Sequence, residues 1–242
     1  MEGKKNKKFF MRGLHDGVPI ALGYFAVSFT FGMMAVSGGL SIWQATLISL
    51  TNVTSAGQFA GLDIIISCGS LWEMAITQLI INLRYSLMSF SLSQKLEKNI
   101  APWHRYVVAF GMTDEIFGVS AGQPGRLTPW YNYGAMSVAV PGWTLGTFAG
   151  AAAGNVMPGF LISALGVAIY GMFLAIIIPP AKKHRAVFKV VLTAMAISTV
   201  FACAPVLNRV SSGFVIIITT LIAAGGAAYF WPIGDGEENT YE

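Results

Sequence analysis

The sequence predicts an all-α, polytopic membrane protein of about six to eight membrane segments, with broken or re-entrant helices among them. Three observations carry this reading. Of 242 residues, 55% are hydrophobic and 11% are charged, less than half the charged fraction of about 25% usual in soluble domains. Mean hydropathy is +0.63. The apolar residues gather into runs of about 20 or more, enough to cross a core of about 30 Å at about 1.5 Å per residue. The period-2 alternation of a membrane barrel is absent.

Residues 1–16 form a basic, cytoplasmic amino-terminal segment containing "KKNKKFFMR". Residues 17–231 form a single transmembrane domain. Its first run, Gly17–Ser37, lacks a small-residue cleavage site and reads as a span, not a signal peptide. Trp43–Cys68 and Leu71–Ser93 follow as a closely linked pair, then Tyr131–Gly154, Gly159–Ile178, Val187–Leu207 and Gly213–Trp231. Between Ser93 and Tyr131 lies a weaker apolar stretch, "YVVAFGMTDEIFGVSAG". "VPIALGYFA" at Val18 and "VPGWTLGTFA" at Val140 form a faint repeat, of the kind transporters are often built from. Residues 232–242, including "GDGEENTYE", read as a solvated, disordered acidic tail.

Basic residues orient the spans. If every run crosses, eight crossings leave ten Lys/Arg inside and four outside. If Trp43–Cys68 and the weak stretch are re-entrant, six crossings leave thirteen inside and one outside. Both counts exclude Arg84, and both put the two termini in the cytoplasm. The six-crossing count obeys the positive-inside rule better, and polar or small residues interrupt both candidate re-entrant pieces.

The net charge of +4 sits mainly in "KKNKKFFMR" and in "AKKHR" at Ala181 to Arg185. Those flanks report membrane orientation, so no nucleic-acid partner follows. Cys68 and Cys203 lie in apolar runs without a C-x-x-C companion. His15, His104 and His184 lie near basic residues and read as interfacial. There is no phosphate-binding G-x-x-x-x-G-K-[ST] and no H-E-x-x-H. Nothing points to an enzyme, a metal or a cofactor.

Four constellations stand out. Arg84 lies about 13 Å from the helix end at Ser93, beyond the reach of a snorkelling side chain. Facing lipid would cost at least about 2.5 kcal/mol near the centre. It is expected inside the protein, where it either grips a ligand carboxylate with two hydrogen bonds or joins two helices as a fixed ion pair. Gln78 and Asn82 lie on a neighbouring stripe with Tyr85. Next, "TSAGQFAGLD" marks a loosened helix in which Thr54, Ser55, Gly57 and Gln58 either contact a small zwitterion or let helices pack closely. In "GMTDEIFGVS", Asp114 and Glu115 are adjacent carboxyls, either proton-carrying or interfacial and solvated. Finally, Gly142, Gly146, Gly150 and Gly154 make a smooth face for close helix packing.

Pro19 and Gly23, "TSAGQFAGL", "NLRYSLM" and "TDEIFGVS", in this order, resemble the AzlC family of branched-chain amino acid exporters. The similarity runs from about Gly13 to Leu207. It implies export of leucine, isoleucine, valine or similar neutral amino acids across a bacterial cytoplasmic membrane, with a small, separately encoded AzlD-type membrane partner. Asp63 is outside the pattern. The expectation is a proton-coupled secondary transporter, or antiporter, in which Arg84 holds the substrate carboxylate. The competing readings are a non-transporting membrane scaffold subunit and a channel for small metabolites.

Overall fold

The structure, a computed structural model, describes residues 2–98, 100–154, 185–205 and 207–230, with isolated positions between 160 and 182. The expected span Gly159–Ile178, apart from single positions, lies outside the described residues, as do His184 and the tail 232–242. Among the described residues the regular elements are helices. They are α1 (Glu2–Ser37), α2 (Ile42–Thr51), α3 (Ser55–Ile66), α4 (Leu71–Lys95), α5 (Trp103–Phe110), α6 (Asp114–Ala121), α7 (Pro129–Gly154), α8 (Arg185–Cys203) and α9 (Ser212–Phe230). A 3₁₀ turn at Leu207–Arg209 precedes α9. The β pairing found among them is one isolated parallel bridge, Leu96 to Leu127.

The chain divides into two units. One comprises Met1–Phe59 and Ile81–Gly166; the other comprises Ala60–Ile80 and Val167–Glu242. Helices α3 and α4 each run from one unit into the other.

The first unit is built on α1 and α7. The glycine stripe of α7 seats directly on the α1 backbone: a methyl on Gly142 would lie 2.8 Å from the Ala21 carbonyl oxygen, and one on Gly154 3.2 Å from Met33 Cα. Methyls on Gly146 and Gly150 would overlap Phe25 and Phe29. Helix α1 reciprocates with Gly13, Gly17 and Gly32, which abut the backbone at Tyr131, Ala135 and Thr147. Each contact climbs both helices together, so the two run parallel. Such close approach lets dispersion and weak polar contacts hold helices together where lipid supplies no hydrophobic drive. Pro19 and Pro141, from the faint sequence repeat, lie inside these two partner helices. Helix α1 begins at Glu2, so the basic segment is continuous with the first span. It is held there by Phe9 packing on the cluster of Leu92, Leu96 and Tyr131.

The run Trp43–Cys68 is two half-helices. Ser41 starts α2 with a reciprocal capping box to Gln44, and α2 stops at Asn52 in extended backbone. Asn52, Val53 and Thr54 are β-branched or able to bond their own backbone, both unfavourable to helix continuation; the Thr54 hydroxyl donates to Asn52 Oδ1 at 2.9 Å. Trp43 lies against Phe148 with the rings tilted at 45°, whereas Val53 packs lower, with Tyr24, Met136 and Trp143. Phe59 of α3 then meets Phe31, back toward the carboxy end of α1. The chain has turned round.

The weak stretch does the same from the other end. His104 of α5 bonds the Tyr133 hydroxyl at 2.6 Å, near the start of α7. After a break at Gly111–Thr113, α6 ends with Ser120 accepting from Asn132 at 2.9 Å, again near the start of α7. Both halves, eight residues each, span only about 12 Å. They form a re-entrant hairpin, and Val53 and Ile116 bring the two breaks into one core cluster with Tyr24 and Trp143. A chain reversal within each of these two runs is what the six-crossing count expects of its re-entrant pieces.

Helix α4 is amphipathic in the sense suited to lipid. Leu79, Leu83, Leu87 and Phe90 are exposed, while Glu73 and Thr77 are buried and Gln78, Asn82 and Tyr85 half-buried. Among the described residues, α1 and α8 are the helices long and apolar enough to cross a membrane.

Candidate functional site

The break between α5 and α6 is where the charges converge. Thr113 is extended and caps α6, accepting from Ile116 N–H at 3.3 Å. This leaves Asp114 and Glu115 in the first helical turn, where the helix dipole favours negative charge. Arg84 Nη1 lies 2.9 Å from Asp114 Oδ2. Arg84 Nη2 donates to the Tyr85 hydroxyl at 3.2 Å, and the guanidinium lies 4.8 Å from that ring's centre. The Arg84 and Asp114 side chains are 40% and 33% exposed. The pair is thus reachable, although Arg84 Nε is buried without a partner.

Glu115 is held differently. The Tyr24 hydroxyl of α1 lies 2.5 Å from both Glu115 Oε2 and Thr113 Oγ1. A phenol has one proton to donate. A carboxylate only accepts, so that proton serves Glu115, and the Thr113 hydroxyl supplies the proton for the other contact. The order Thr113, Tyr24, Glu115 is a short hydrogen-bonded relay. With Arg84 included, Arg84, Asp114 and Glu115 sum to one negative charge.

At the other break, Gln58 is 2% exposed. Its Nε2 donates to the Ser49 hydroxyl, and its Oε1 accepts from Trp143 Nε1 at 3.0 Å. Ser49 bonds Thr147 Oγ1 at 2.6 Å. Gln58 thus ties the α2–α3 tip to α7, with both ends of its amide used. Thr54 accepts the Gln58 N–H on its carbonyl at 2.9 Å. Gly57 is buried and Ser55 half-buried. Asn82 is half-buried on α4 in the first unit. Gln78 belongs to the second unit, where its Nε2 lies 3.9 Å from Met74 Sδ. Asp63 is exposed.

Of the residues singled out from sequence, the structure brings Arg84 and Asp114 into direct contact and keeps Glu115 beside them on Tyr24. Tyr24 and Trp143 were missed because an aromatic residue in a span looks like core. Thr113 had a readable signal: Thr before two acidic residues and an apolar run is a helix start. Among the described residues, no cluster of three or more His, Cys, Asp or Glu could hold a metal ion.

Apolar side chains turned outward, polar ones turned inward, and two half-helix hairpins with charge at one break define a polytopic α-helical membrane protein. Comparison with known proteins narrows the class. The AzlC protein family matches residues 19–157, and the chain belongs to that family. It is 32% identical over 184 residues to an uncharacterized membrane protein of Archaeoglobus fulgidus, covering 75% of this chain and 80% of that one. It is 27% identical over 183 residues to inner membrane protein YgaZ of Escherichia coli, covering 73% and 75%. A Helicobacter pylori membrane protein is 28% identical over 114 residues, covering 46% and 49%. No solved structure matches the chain.

Proposed function

We propose that the chain is a secondary transporter that exports neutral, branched-chain amino acids, coupled to proton entry. The observation that carries this reading is the half-exposed Arg84–Asp114 pair at the α5–α6 break, beside a second carboxylate on a hydrogen-bonded relay. A guanidinium already balanced by one carboxylate can exchange it for another. The substrate carboxylate takes the Arg84 fork, Asp114 swings to the substrate ammonium, and Glu115 takes the coupling proton through Tyr24. The site's single negative charge matches one added proton when the zwitterion, itself neutral, is bound.

The α2–α3 tip, around Thr54 and Ser55, supplies further backbone and hydroxyl contacts, with Gln58 positioning it. The bacterial cytoplasmic membrane, with both termini inside, fits the basic amino-terminal helix and the name of the Escherichia coli relative. A small AzlD-type membrane subunit is proposed as the partner. Counterflow of labelled leucine in proteoliposomes, with and without that subunit, tests the reading. A transporter accelerates exchange when unlabelled leucine is inside. A scaffold moves nothing, and a channel shows no acceleration.

A further inference from the structure

Glu73 lies in the first turn of α4, in the second unit, and is 3% exposed. Its Oε1 accepts from the Ser211 hydroxyl just ahead of α9. Two glycines make room for the carboxylate: a methyl on Gly213 would lie 2.6 Å from Oε1, and one on Gly69 2.9 Å from Oε2, with Ile64 against both. Glu73 is in none of the ion pairs found among the described residues. The charged residues on the adjoining elements, Asp63 of α3 and Arg209 of the 3₁₀ turn, are both exposed. One turn along α4, Thr77 is fully buried and its hydroxyl has no partner. A helical Cα–Cβ bond tilts toward the amino terminus, so the Thr77 side chain leans toward the Glu73 turn.

The first turn of α9 offsets part of the carboxylate's charge. One neutral donor and a helix end do not replace the water that a buried carboxylate has lost. An orphaned hydroxyl one turn along the same helix is a second unmet demand, for a partner that oxygen atoms can surround. We propose that Glu73 and Thr77, with the Ser211 hydroxyl, form a binding site for a small monovalent cation, a sodium ion or a proton. The site uses none of the Arg84, Asp114 or Glu115 side chains, and the inference stands whether or not the chain transports amino acids.

The test uses the purified full-length chain in detergent. Thermal unfolding is followed while sodium chloride replaces choline chloride at constant ionic strength, and infrared difference spectra record neutral carboxylic acid across pH. A sodium site gives a saturable rise in Tm that Glu73→Gln abolishes. Thr77→Val shifts that rise to about tenfold higher sodium, the low end of the cost of removing a supporting ligand. A proton site gives a neutral-acid band in the wild type that Glu73→Gln removes and Thr77→Val displaces in pH. Should Glu73→Gln fail to fold, Thr77→Val and Ser211→Ala carry the comparison. A wild type with neither a saturable sodium effect nor a neutral-acid band, or one whose responses are identical in Thr77→Val and Ser211→Ala, overturns the proposal.

Discussion

Arg84→Lys keeps the charge and removes the fork. In the structure the guanidinium uses Nη1 for Asp114 at 2.9 Å and Nη2 for the Tyr85 hydroxyl at 3.2 Å, on two separate branches. Lysine offers one compact ammonium, which can satisfy a single carboxylate oxygen at a time. The loss is one hydrogen bond between charged groups, about 1.5–3 kcal/mol. Because the Arg84 side chain is 40% exposed, the lower half of that range applies. About 2 kcal/mol corresponds to a roughly 30-fold weaker Kd at about 1.4 kcal/mol per tenfold. The assay is leucine titration of purified protein, read by isothermal calorimetry or by ligand-induced rise in Tm. Without leucine, Tm should barely move, since a half-exposed ion pair contributes about 0–1 kcal/mol. An Arg84→Lys protein that binds leucine with wild-type Kd would refute two-pronged carboxylate binding.

Gly150→Ala should push α1 and α7 apart, because its methyl meets the Phe29 backbone. Overpacking of this kind costs about 1–3 kcal/mol or more; Tm and the monodisperse fraction should both fall. Gly23→Ala, which meets nothing within 4 Å, should change neither. Glu115→Gln should flatten the pH dependence of transport and Tyr24→Phe should displace it, both read in proteoliposomes; unchanged profiles in both would remove the relay from the mechanism. Single cysteines replacing Pro102 and Gly122, in a background without Cys68 and Cys203, should react with an impermeant thiol reagent from the same side of the membrane. A cysteine replacing Ser41 should react from the opposite side, and any other pattern breaks the re-entrant reading of α5 and α6.

Much of this fold was legible because lipid is an unforgiving solvent. An arginine in the middle of an apolar run needs a polar partner, and Arg84, half-exposed, is found paired with Asp114. Polar and small residues marked both runs as interrupted, but the loosened helix expected in "TSAGQFAGLD" is continuous α3 from Ser55, and the break falls just ahead of it, at Asn52–Thr54. Whether such a run crosses or returns is a matter of tertiary contacts. Two eight-residue halves contain about as many residues as one short span, so the weak stretch alone does not distinguish them. The α7 glycines announced close packing but not its partner, although α1 carries complementary glycines at Gly13, Gly17 and Gly32. The pairing of Arg84 with Asp114 joins residues far apart in sequence, and one chain holds no record of that proximity. Glu73 was missed because a single acid near a helix start normally reads as a solvated cap.

The most direct measurement is a solid-state NMR distance in lipid bilayers, between the ¹⁵N-labelled Arg84 guanidinium and the ¹³C-labelled carboxylate of bound leucine. A hydrogen-bonded fork places those nuclei about 3–4 Å apart, giving strong dipolar dephasing that disappears when unlabelled leucine displaces the label. Bound leucine with no dephasing from Arg84 would mean that the cargo carboxylate is held elsewhere.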